Sequence, residues 1–418
     1  MDIISHLPDD VLLKILSFLR TKDVMRTMFL SKRWESLWMF VPRLEFDDTT
    51  HFPTPPFTQA GYNIFRQFVD RSLMSFEGQV LQSLYLKLDG PFAYEDVTIW
   101  VKTAVKRGLV ELKLQYSERC WRLFLPKSLY KSFETIVVLK LEEVGLDFPN
   151  LVCLRSLKTL FLKSVIFSSS RSLLRLLPKC PVLEDLYIEH RPIATFSQIF
   201  RIEVPTLKRL SLNYDGIYEL DIDAQSLKYL YIKDRSRKNS FCEIKNINDL
   251  VKVNIEVILR RPEELLHSLT SAEHMRLCLS YSEVVYPVGS CFPRLKHLEV
   301  CSCKSEWLYL FMRLLKDSPS LKVIKINQNH NTKIVRPEWY QPRSVPTCLP
   351  SSLEILEWDK YRGFEEEKEL STYILKNAIC LKKASFIAKS IDDKEKLHML
   401  QKLSFSPRVS STCELVFT

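Results

Sequence analysis

The sequence predicts an α/β chain in three parts: a three-helix module at the N-terminus, an irregular solenoid of short strands curved into a horseshoe, and a C-terminal α/β cap. Three observations carry this. Apolar stripes of helical period open the chain; an apolar–x–x–apolar–x–apolar triplet recurs from Leu81 to Trp358; a proline-rich stretch then interrupts the recurrence before strand and helix patterns alternate to Phe417. With 418 residues, 46% apolar and 26% charged, the chain has the material for a folded core beside a repeat array.

The first helix is written into residues 8–19. Pro8 suits a first helical position, Asp9 and Asp10 face the positive end of the helix dipole, and Val11, Leu12, Ile15, Leu16 and Leu19 form the stripe. Leu13 and Phe18 lie off that stripe, so the helix is apolar on more sides than a module of this size can bury, and the surplus points to a partner. Thr21 or Asp23 is placed to cap a second helix carrying Val24, Met28 and Leu30. Ser31 is placed to cap a third, with Trp34, Leu37, Trp38 and Val41 on one face.

The literal string over these residues is more specific than its periodicity. Leu7-Pro8-Asp9-Asp10-Val11-Leu12, Ile15-Leu16-Ser17-Phe18-Leu19, Thr21-Lys22-Asp23, Leu30-Ser31-Lys32-Arg33-Trp34 and Leu37-Trp38 resemble the plant F-box. The resemblance implies that the module docks on a Skp-type adaptor and, through it, joins a cullin and a RING protein. It carries the adaptor-facing role onto Leu7, Pro8, Val11, Leu12, Ile15, Leu16, Leu19, Leu30 and Trp34. Arg20 stands where many relatives have proline, at a helix end where a cation suits the dipole.

The triplets begin at Leu81, Leu109, Ile136, Leu157, Leu183, Leu207, Leu227, Leu250, Ala272, Leu295, Leu321 and Leu353, at steps of 20 to 32 residues. Most steps fall in the range of leucine-rich repeats. The last two apolar positions of each triplet alternate with period two, as in a short strand, and a helical stretch such as Leu173–Leu177 precedes some of them. A single unit cannot bury its apolar face, so neighbours must stack. The asparagine ladder of many such repeats is largely missing, and Cys180-Pro181-Val182-Leu183-Glu184-Asp185-Leu186 resembles instead the irregular repeats of plant F-box proteins. The residue between the last two apolar positions faces outward on the concave side. There Phe161, Tyr187 and Tyr231 form a candidate aromatic patch for a protein substrate, and Lys113 and Lys140 are adjacent bases.

Beyond Pro337, Pro342, Pro346 and Pro350 comes Leu349-Pro350-Ser351-Ser352-Leu353-Glu354-Ile355-Leu356-Glu357-Trp358, then an acidic helix start at Glu365–Glu367. Leu381–Phe386 restates the strand pattern, a helix carries Leu397, Leu400 and Leu403, and Cys413–Phe417 reads as a strand. A solenoid needs such a cap over its last apolar face. The segment resembles the FBD domain that follows F-box and leucine-rich repeats in many plant proteins. The expected organisation is F-box 1–48, linker and solenoid cap 49–78, leucine-rich repeats 79–336 and FBD-like segment 337–418.

Little points to chemistry. The 8 histidines are dispersed, no GxSxG, HExxH or phosphate-loop glycine string occurs, and the 11 cysteines include a lone Cys301-x-Cys303 without a second pair at ligand spacing. Neither catalytic residues, metal nor cofactor is therefore expected, and the chain lacks the zinc ligands or nucleophilic cysteine of a RING or HECT ligase. Scattered thiols without a secretory leader indicate cytoplasm or nucleus, and no apolar run is long enough to span a membrane. The expected role is the non-catalytic substrate-recognition subunit of an SCF-type ubiquitin ligase, with an unspecified protein substrate. Two alternatives stay open. One is a hormone or small-molecule co-receptor, which would use a basic pocket such as Lys113 and Lys140. The other is a nucleic-acid-associated repeat protein using the net charge of +10, densest at Arg235–Lys238.

Overall fold

The computed structural model describes residues 4–50, 58–90, 92–117, 124–147, 153–167, 172–190, 198–214, 217–234, 241–259, 262–281, 291–303, 307–328, 330, 339–389 and 392–418. Arg235–Lys238 and Pro337 lie outside them. The chain divides into two compact units, Met1–Arg191 and Pro192–Thr418.

In the first unit, helices Asp9–Leu16, Thr21–Arg26 and Trp34–Leu37 enclose a small core of Leu12, Leu16, Val24, Trp34, Leu37, Trp38 and Val41. The second and third helices are shorter than their apolar spacing predicts, because each runs into a 3-10 turn, Thr27–Phe29 and Trp38–Phe40. The expected Thr21 cap is corrected: Thr21 lies inside the second helix, and its buried hydroxyl accepts the Glu45 N–H at 2.6 Å. That bond reaches a strand, Arg43–Asp47, in a stretch read from sequence as the end of the helical module.

This strand opens a parallel ladder that continues through Ser83–Leu88, Glu111–Tyr116, Val138–Glu142, Thr159–Lys163 and Asp185–His190. In each of the last five, the first triplet residue turns into the strand from two positions ahead. Register then stacks like on like. Leu84 pairs with Leu112 and Leu86 with Leu114, so inward leucines form continuous buried layers, while Lys113 meets Lys140 and Phe161 meets Tyr187 on the opposite face. Helices Gln59–Met74 and Tyr94–Lys106 pack together through Phe65, Trp100 and, from just ahead of the second helix, Phe92, while Phe68 meets Phe46 of the first strand with ring centroids 5.4 Å apart. The Trp100 indole donates to Asp70 at 2.7 Å, and Arg66 pairs with buried Asp96 at 2.9 Å.

The second unit builds a parallel ladder of its own from Arg209–Tyr214, Tyr229–Lys233, Lys252–Leu259, His274–Tyr281, His297–Cys301, Val323–Asn327, Ile355–Tyr361, Lys383–Ala388 and Glu414–Phe417. The two weakest triplets, Leu250-Val253-Ile255 and Ala272-Met275-Leu277, lead into its longest strands. The return segments are not uniformly helical. Gln198–Glu203, Ile217–Asp223 and Phe241–Lys245 form a second parallel sheet, whereas Trp307–Asp317, Glu365–Asn377 and Asp393–Ser404 are helices. Towards the C-terminus Trp358 is buried among Trp307, Tyr361 and Phe386, with ring centroids 5.3–6.3 Å away. Among the described residues, no helix is long and apolar enough to cross a membrane.

Candidate functional site

Three surfaces gather the residues singled out from sequence. The first is the helical module. Its core is closed by its own residues, so Leu12, Leu16 and Trp34, three of the nine expected adaptor contacts, spend their apolar surface internally. Leu7 is partly buried against the same core. Pro8, Val11, Ile15, Leu19 and Leu30 face outward. Val11 and Ile15 stand one above the other at i, i+4 on the first helix. Among the described residues of the module, two not assigned from sequence are the most exposed large apolar groups: Phe18 at 76% and Phe29 at 91%. Phe18 had a visible signal in lying off the apolar stripe; Phe29 had none, because a 3-10 turn rather than a continuous helix decides where it points. Arg33 fastens the module's start, donating to the Leu7 carbonyl at 2.6 Å and to the Asp9 carboxylate.

The second surface is the outward face of the first ladder. Phe161 and Tyr187 stack face to face, centroids 4.2 Å apart and planes 7° off parallel, and the Tyr187 hydroxyl bonds Glu189. Tyr231 belongs to the other unit. The two bases of the basic-pocket reading are occupied locally: Lys113 lies over the Tyr85 ring at 4.1 Å, and Lys140 pairs with Glu111 at 2.8 Å.

The third surface is the same face of the second ladder, read in rows. His274 and His297 stack at 4.2 Å, with burial and then the neighbouring His274 lowering the His297 pKa. In the next row Arg276 pairs with Glu299 at 2.9 Å and Lys325 with Glu357 at 2.6 Å. A shallow cleft of about 230 Å³ opens over these two rows. One row further on, Lys233 registers with Glu256, and Glu256 with Cys278; Cys301 registers with Asn327. Here the lone Cys301-x-Cys303 meets two further donor groups that its sequence spacing does not show. The parallel register carries Cys278 to it from the preceding strand, and the chain after Val323–Asn327 carries His330. The four donor atoms lie within 4.8 Å of one another. Cys278 Sγ is 3.4 Å from Cys303 Sγ and 3.6 Å from His330 Nδ1, and Cys301 Sγ is 3.7 Å from the same nitrogen. Hydrogen bonding with Cys301 and Cys303, then burial, pushes the Cys278 thiol upward.

Comparison with known proteins accounts for all three parts. The F-box domain model matches residues 4–45, the model for the LRR repeats of FBD-associated F-box protein At5g56370 matches 97–247, and the FBD model matches 341–386. FBD-associated F-box protein At5g56380 of Arabidopsis thaliana is 57% identical over the full length of both chains. F-box/FBD/LRR-repeat protein At5g56420 of the same plant is 42% identical over all of this chain and 99% of its own. Probable FBD-associated F-box protein At1g32375, also from Arabidopsis thaliana, is 39% identical over the full length of both. F-box domains generally bind Skp-type adaptors, F-box proteins are generally non-catalytic, and an F-box joined to leucine-rich repeats suggests a substrate-adaptor role in SCF ligases. With helices, ladder and C-terminal segment each matched in order, the chain belongs to the plant F-box/FBD/leucine-rich-repeat family.

Proposed function

We propose that this chain is the substrate-recognition subunit of an SCF-type cullin-RING ubiquitin ligase, working in the cytoplasm or nucleus without catalysing transfer itself. The observation that carries the reading is the division of labour inside the helical module. Leu12, Leu16 and Trp34 complete a core, leaving Val11, Ile15, Phe18, Leu19, Phe29 and Leu30 exposed within twenty residues. So much apolar surface on so small a module is costly in water and marks a protein interface. The adaptor covers that surface, and the outward faces of the ladders hold a protein substrate. Catalysis then reduces to proximity: the adaptor end is fixed to the cullin, and lysines of the held substrate are kept near the ligase's charged partner.

The test separates surface from core. Ile15→Asp places a charge on the exposed face, where nothing in the fold requires isoleucine, and should abolish capture of a Skp-type adaptor while circular dichroism stays unchanged. Leu16→Ala should instead destabilise the module by about 2–5 kcal/mol, the usual range for emptying a buried leucine site. Adaptor capture that survives Ile15→Asp and Val11→Glu together would refute the reading.

A further inference from the structure

We propose that Cys278, Cys301, Cys303 and His330 form a structural zinc site that clamps three successive strands of the second ladder. Tetrahedral zinc, with Zn–S near 2.3 Å and Zn–N near 2.0–2.1 Å, requires ligand atoms about 3.8 Å apart between sulfurs and about 3.6 Å between sulfur and nitrogen. The observed separations of 3.4, 3.6 and 3.7 Å already lie near those edges. The donors come from one strand, from the end of the next and the residue two beyond it, and from the segment after a third, so their convergence is a product of the ladder's register.

The surroundings fit a metal better than a chance meeting of thiols. His330 turns Nδ1 to the sulfurs and places Nε2 2.7 Å from the Glu256 carboxylate. A proton on Nε2 donated to that carboxylate fixes the tautomer that presents a lone pair at Nδ1, the usual support of a zinc-bound histidine. Lys233 stands 3.3 Å from the other Glu256 oxygen and holds the carboxylate in place. Binding releases three thiol protons to water; the dication, the three thiolates, the Glu256 carboxylate and the Lys233 ammonium paired with it then sum to one net negative charge. Cys301 and Cys303 are buried, and four protein ligands fill the sphere, which makes the site structural rather than catalytic. Soft thiolates with one imidazole select zinc over magnesium or calcium.

The test uses the full chain, purified under reducing conditions. Elemental analysis should find about one zinc per chain, the capacity of one Cys₃His site. Cobalt exchanged into it should show the ligand-field bands of a tetrahedral thiolate complex. Cys278→Ser and Cys303→Ser should bring zinc to trace levels, while Cys380→Ser, at an exposed cysteine outside the cluster, should retain it. Because a serine variant can lose metal by failing to fold, His330→Cys supplies a second readout: it keeps four ligands, retains zinc and shifts the cobalt spectrum. Glu256→Gln should weaken zinc affinity about 10–100-fold. Wild-type protein without stoichiometric zinc and without a tetrahedral cobalt spectrum would overturn the proposal. So would a cobalt spectrum indifferent to His330→Cys, or a Cys278–Cys303 disulfide in protein that still refuses zinc after reduction.

Discussion

Asp48 shows how much one side chain can matter at the start of the first ladder. It is fully buried, and its carboxylate accepts the backbone N–H groups of Asp89 and Gly90 at 2.7–3.0 Å, tying the turn after the first strand to the turn after the second. Burial outweighs those donors and raises its pKa from 3.8 to about 6. A raised acid binds its proton more tightly folded than unfolded. Its contribution to stability is therefore complete below pH 3.8 and is lost as pH rises through about 6. Asp48→Asn keeps an acceptor oxygen without the charge. Denaturation at a series of pH values should show the variant gaining on the wild type across this window, by at most about 3 kcal/mol for a shift of this size. A constant difference would mean that the carboxylate ionises in the fold as it does in water. No residue pattern announces Asp48 in the sequence, since its partners are backbone groups some forty residues away.

At the level of elements, the legible features are those whose period is local. All twelve triplets end in strands, because an apolar residue at every second position has one way to bury itself in a ladder. The return segments carry no such rule. A stretch such as Gln198–Glu203 joins a second sheet because its neighbours offer edges to it, and that is a property of adjacent repeats rather than of its own sequence. The helices after Thr21 and Trp34 are shorter than their stripes for a similar reason, as tight turns serve the small core better than continuous helix. The thiol cluster was out of reach because its ligands span fifty residues and meet only through register. The stacked pair Phe161–Tyr187 joins the outward faces of two neighbouring strands into one flat aromatic plate. Phe161→Ala with Tyr187→Ala should leave the inward leucine layers intact and reduce recovery of the substrate at least tenfold, the effect of losing one strong aromatic anchor. Unchanged recovery in a pull-down would remove this plate from the recognition surface.

For the molecule as a whole, the proposed function requires two faculties that can be switched off separately. The full chain carrying Ile15→Asp should still capture the proteins held by its repeats yet fail to ubiquitylate them, whereas Phe161→Ala with Tyr187→Ala should keep the adaptor and lose the substrate. Affinity capture under proteasome inhibition, comparing the two variants with the wild type, reads both at once. A single variant that lost both activities while remaining folded would show that the two faculties are not separable. The strand Arg43–Asp47 gives this organisation a practical consequence for anyone splicing receptors together. It is the first rung of the ladder, bonded along its length to Ser83–Leu88 and pinned to the helices through Thr21 and the Arg20–Glu45 pair at 3.6 Å. A cut at residue 46 would strip that rung and leave a raw sheet edge, an invitation to aggregate. The clean seam lies a few residues earlier, near Pro42, and a chimera joined there would inherit a stiff handle in place of a tether.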